Sequence, residues 1–91
     1  MDDAALERKQ QEDAMVQAGL EAKDTLTSAA FINTVSRLSK GFSDSLFNTR
    51  PDEAVIRERY YNLSLSLQAI VDLLVQDVSA ADEIIEARNE A

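Results

Sequence analysis

Residues 48–74, NTRPDEAVIRERYYNLSLSLQAIVDLL, join the sharpest break in the chain to its longest regular pattern. Asn48 to Glu53 combines a helix-capping Thr49, a proline suited to a first helical turn, and two acids at the positive end of a helix dipole. From there Ile56, Tyr60, Leu63, Leu67, Ile70, Leu74, Val78, Ala81 and Ile85 recur in steps of four and three, which places them on one helix face. The spacing predicts a helix over 51–88, roughly 55 Å long at ~1.5 Å per residue. Ser79-Ala80-Ala81-Asp82 resembles a second capping signal. No glycine or proline accompanies it and the apolar phase does not slip, so one continuous helix is expected.

Upstream, Phe31, Val35, Leu38, Phe42 and Leu46 are spaced by four, three, four and four. They predict a second helix over 28–47 with a cap at Thr27 or Ser28, within a turn begun at Asp24 and Thr25. Gly41 reads as a tolerated helical glycine rather than a point of close approach. The first segment, 1–25, is polar and alanine-rich. Leu6, Ala14, Met15, Val16, Ala18, Leu20 and Ala22 form no clean stripe there, and such a helix is marginal alone. The fold class expected is all-α, a helical hairpin or three-helix arrangement with a long C-terminal helix, in a single helical domain. Helix two is about half as long as helix three. Part of the Leu74 to Ile85 stripe therefore needs helix one or another subunit to cover it.

Composition narrows function mainly by exclusion. With no cysteine and no histidine, the chain lacks thiolate nucleophiles, the common zinc ligand sets and the usual general base. Glu83 and Glu86 share a helix face at a spacing that carboxylate-bridged metal sites use, but partner ligands from other helices are not evident. A solvated acidic face is the simpler account. No catalytic residue, cofactor site or metal site is expected, and the chain is expected not to be an enzyme. A net charge of −8 argues against direct nucleic-acid binding, which needs surplus Lys and Arg. Met1-Asp2-Asp3 opens no signal or transit pattern. The longest apolar run, residues 69–75, contains Asp72 and falls short of the ~20 residues that span a bilayer. The expectation is a chain cytoplasmic when synthesised, with no membrane partner.

Charge is unevenly distributed: residues 1–25 hold seven acids and three bases, 26–50 one and three, and 51–91 nine and three. Arg37, Lys40, Arg50, Arg57 and Arg59 gather near the turn between helices two and three, where Arg57 is also placed to pair with Glu53 one turn away. Asp77, Asp82, Glu83 and Glu86 concentrate near the C-terminal end. Basic and acidic ends of one chain suit charged docking, including head-to-tail contact between copies. Tyr61 and Leu65 fall away from the helix-three stripe, and Ile32 and Phe47 lie off the main face of helix two. Together with Leu74, Val78 and Ile85 beyond the reach of helix two, they are the candidate protein-interface residues.

Phe31, Leu46, Thr49, Asp52, Arg57, Glu58, Leu63 and Leu67 follow an order that resembles small helical proteins from the head and packaging gene clusters of tailed bacteriophages. Such proteins have an aromatic helix, a Thr-x-x-Asp turn, an Arg-Glu pair and a leucine-rich helix. The resemblance covers about half the chain, from Phe31 to Leu74. It departs at the tryptophan often found before the turn, where this sequence has Leu46-Phe47. It implies a non-enzymatic structural or assembly protein that binds other protein subunits, a homo-oligomer or part of a larger assembly, with the virion as a candidate destination. The alternative carried by the acidic ends is a regulatory binder, such as a DNA mimic or small inhibitor protein.

Overall fold

The fold is available as a computed structural model and describes residues 2–90. It contains three α-helices and, among the described residues, no strand: α1 (Asp3–Thr27), α2 (Ala29–Phe47) and α3 (Ala54–Glu90). The fold is thus all-α with a long C-terminal helix, as the apolar spacing predicts. α3 is one helix of 37 residues with no interruption at Ser79.

Each helix end has a local cause. Asp2 accepts the Ala4 N–H on its carboxylate at 3.1 Å, satisfying a free donor of the first turn of α1. α1 continues through Asp24, Thr25 and Thr27, and the expected multi-residue turn there is a single extended residue. That residue is Ser28 (φ −68°, ψ 128°), whose hydroxyl accepts the Phe31 N–H at 3.4 Å as the cap of α2. One residue out of helical geometry suffices to end one helix and begin the next.

The turn after α2 differs from expectation in detail. Thr49 closes α2 rather than opening α3: its hydroxyl donates to the Leu46 carbonyl at 2.8 Å. The Arg50 and Glu53 backbones close a four-residue turn through Glu53 N–H to Arg50 carbonyl at 2.9 Å. The Glu53 carboxylate accepts the Arg50 N–H at 2.9 Å. Pro51 occupies the second position of that turn, where its fixed φ is equally favourable, so α3 begins three residues later than the proline suggests. Arg57 does not reach Glu53; its guanidinium donates back to the Arg50 carbonyl at 3.1 Å, and Arg50 is the cation near Glu53, at 3.9 Å.

The chain forms two compact units. The first consists of residues 1–26 with residues 73–91, and so pairs α1 with the C-terminal part of α3. Gly19 lies against Ala81 and the Asp77 carbonyl: a Cβ built on Gly19 would overlap the Ala81 Cβ and stand 2.7 Å from the Asp77 oxygen. Nearer the start of α1, Arg88 pairs with Asp13 at 2.8 Å and Glu12 at 3.6 Å. These partners run in opposite sequence order, so the two helices are antiparallel. The ion pairs are about half exposed and contribute under ~1 kcal/mol. Close backbone approach at Gly19 is what brings the helices into contact.

The second unit, residues 27–72, contains α2 and the first half of α3. Phe42 and Tyr60 meet with ring centroids 6.5 Å apart and planes tilted by 44°. Phe31, Val35, Phe42 and Leu46 of α2 are half-buried, as are Tyr60, Ser64, Leu67 and Val71 of α3. Two helices in contact shelter one strip along each. The strip of α3 that α2 covers lies to one side of the predicted ridge, so Ile56, Leu63 and Ile70 remain 44%, 42% and 55% exposed.

Candidate interaction surface

Among the described residues, the only apolar side chains fully out of solvent are Ala22 and Ala81, at 3% and 2% exposure. Larger side chains are at best half-buried. At ~25 cal/mol per Å² of buried apolar area, two alanines and a partly covered strip contribute little toward the ordering entropy of such a chain.

The candidate interface residues divide by unit. Tyr61 and Leu65 are exposed on α3, and Ile32 and Phe47 are exposed on α2, with Phe47 at 90%. Leu74, Val78 and Ile85 are half-buried in the first unit, where α1 is the other element. Helix one therefore supplies much of the cover that the sequence leaves to it or to a neighbour. The open apolar row instead lies earlier on α3, at Ile56, Leu63 and Ile70. These three are spaced by seven, which keeps them nearly in line along a helix.

On an antiparallel helix pair, residues turned in the same rotational sense from the contact line lie on the same flank. By this geometry Thr34 and Leu38 of α2 stand on the flank of the hairpin that carries Ile56, Leu63 and Ile70. Leu38 is 43% exposed, and it lines a shallow depression with Thr34 and Arg37. Gly41 stands on that flank too, with nothing within 4 Å of where its Cβ would be. The result is an open apolar flank, edged by Arg37 on α2 and Arg59 on α3.

The charged candidates are only partly brought together. Arg50 and Arg57 meet at the turn, whereas Lys40 bonds Asp44 on its own helix at 3.0 Å. Arg37, Arg50 and Arg59 are exposed. Asp77 is half-buried, while Asp82, Glu83 and Glu86 are exposed on the C-terminal part of α3. Glu83 borders a shallow depression with Glu12, Ile84, Ala87 and Arg88. Among the described residues, no three carboxylates, histidines or cysteines converge as a metal ion would require.

One packing position escapes the sequence pattern. Gly19 was not distinguishable as a contact point by hydrophobicity, because α1 packs with small residues rather than large ones. Size gives the missing signal: Val16, Gly19, Ala22 and Leu26 follow three- and four-residue steps, and all are sheltered. α3 also contains a stretch long and apolar enough, by length and composition alone, to cross a membrane. The count over residues 69–75 misses it because the polar residues within it are scattered. Those polar groups bond along the helix, Ser66 to the Asn62 carbonyl at 3.0 Å and Gln68 to Asp72 at 2.8 Å.

Fold and surface together define an all-α protein whose longest helix keeps a wide apolar face open. No family model matches the chain, and no curated protein or solved structure matches it significantly.

Proposed function

We propose that this is a non-enzymatic structural or assembly protein whose work is to bind other protein subunits. The observation that carries the proposal is the exposed row Ile56, Leu63 and Ile70 beside Leu38, with Tyr61 and Leu65 exposed elsewhere on the same helix. Contiguous apolar surface of this kind is uncommon on proteins that act alone. A protein surface is a better occupant than lipid. Asp72 and Asp77 fall in the same helix, and an aspartate at the centre of a bilayer costs about 2.5–3.5 kcal/mol on insertion scales. The resemblance of residues 31–74 to tailed-phage head and packaging proteins supports the particle of such a phage, or its assembly, as the setting.

The test is co-assembly. The chain is expressed with the proteins encoded beside its gene, and the mixture is sedimented. The expected outcome is co-sedimentation with a particle or assembly intermediate, reduced at least about tenfold by Tyr61→Asp or Leu65→Asp. Both positions are exposed, so the variants should stay within about 0.5 kcal/mol of the parent in stability. A chain that remains at the top of the gradient under every combination would refute the proposal.

The exposed carboxylates Asp82, Glu83 and Glu86 favour one second possibility, an acidic regulatory binder that occupies a basic site. Binding would then fall steeply with salt and with neutralisation of those residues, and Tyr61→Asp would leave it intact.

A further inference from the structure

We infer that α1 is a releasable cover: it leaves the C-terminal part of α3 in an opening of its own, with the α2–α3 pairing of the second unit still formed, and its docking decides whether Leu74, Val78 and Ile85 are sheltered or open. The opening is a property of the lone chain. Its use, to vary how much apolar surface the chain presents to other subunits, rests on the function proposed above.

Three observations carry it. The first is what each helix brings to its contact. α1 shelters Val16, Gly19, Ala22 and Leu26, of which only Val16 and Leu26 have large apolar side chains. α2 shelters Phe31, Val35, Phe42 and Leu46, and adds the ring contact of Phe42 with Tyr60. Attraction scales with the apolar area removed from water, so α1 is the more weakly held helix, its close approach at Gly19 notwithstanding. The second is the extent of the contact. Arg88, which pairs with Glu12 and Asp13, stands near the end of α3 at Glu90, and residues 2–11 are exposed throughout. The first two turns of α1 therefore add little to its docking, and the ion pairs beside them are open to screening by salt. The third is the helix and its attachment. Without an apolar stripe, α1 is marginal once it has no neighbour, so leaving α3 and unfolding are one event. Its link to α2 is Ser28 alone, already extended and already capping α2 through its hydroxyl. Unfolding of α1 can stop there, because the first turn of α2 does not draw its hydrogen bonds from α1.

Hydrogen exchange followed by mass spectrometry reads each helix separately in the full chain. In the parent, residues 12–27 should exchange through an opening at least about tenfold more populated than the one that exposes residues 32–47. Two substitutions then separate the openings. Gly19→Ala, which sets a methyl against Ala81, should speed exchange in α1 at least about fivefold and leave α2 within about twofold. Gly41→Ala, with open space around it, should slow exchange in α2 and leave α1 within about twofold. Equal protection of the two helices in the parent would overturn the inference, and so would either substitution moving both helices together, since each result describes one cooperative unit. Exchange is measured on the chain alone and co-sedimentation on its mixtures, so this inference and the proposed function fail separately.

Discussion

The two glycines each lie inside a helix, and their surroundings give the same substitution opposite signs. At Gly41 nothing lies within 4 Å of an added methyl. Gly41→Ala therefore removes backbone freedom from the unfolded chain at no steric cost, and should stabilise by about 0.5–1 kcal/mol. At Gly19 the same methyl would collide with Ala81 and the Asp77 carbonyl. Overpacking of this kind costs about 1–3 kcal/mol, enough to outweigh the gain in helix propensity. Gly19→Ala should lower the urea midpoint and Gly41→Ala should raise it. Two shifts of the same sign would mean that α1 does not approach α3 at Ala81. Sequence pattern read Gly41 as a tolerated glycine, as its open surroundings bear out, but gave no sign of Gly19, which lies in a segment with no apolar stripe.

At the scale of the element, the question is whether α3 is one helix or two. Ser79 has the chemistry of a cap, but a cap works only where the backbone leaves helical geometry, and α3 keeps that geometry through Glu90. Ala80→Pro separates the cases. Within a continuous helix, proline removes a hydrogen bond and clashes with the preceding turn, costing about 3 kcal/mol or more. At the first position after a true cap at Ser79, it would be tolerated. The variant should lose helical ellipticity and unfold at lower urea concentration; an unchanged denaturation curve would contradict continuity. The turn before α3 shows how capping residues can be identified and their roles still misplaced. Thr49, Pro51 and Glu53 are all used, but Thr49 serves the preceding helix and Pro51 a four-residue turn. Hydrogen bonds among Arg50, Glu53 and Arg57 make that assignment, and local propensity does not distinguish it from the alternative.

At the scale of the whole molecule, stability and association should be one quantity. Within one copy the described apolar side chains fully out of solvent are two alanines, so under the proposed subunit-binding function burial against a partner would be a large share of what holds the helices. If the partner is another copy, linkage makes the thermal midpoint depend on concentration, rising as protein is added because folded chains associate and unfolded ones do not. Thermal scans followed by circular dichroism over a hundredfold range of concentration should show that rise. A midpoint that stays flat while the chain remains fully helical would mean that a single copy does not draw its stability from other copies of itself.

The number of helices, their order and the length of α3 were legible from spacing alone, because three- and four-residue apolar periodicity and capping residues are local properties of the chain. Which strip of α3 each neighbour covers was not legible. The apolar residues of α3 occupy a face wider than one helix contact can cover, and several rows satisfy the same periodicity. Packing chose among them: the Phe42 and Tyr60 rings select the row through Ser64 and Leu67, and the missing side chain at Gly19 brings α1 onto Ala81. Within the second unit, the open row at Ile56, Leu63 and Ile70 is what the first of those choices leaves over. Its exposure is therefore a property of how the helices meet, and no single residue in it announces that it faces water.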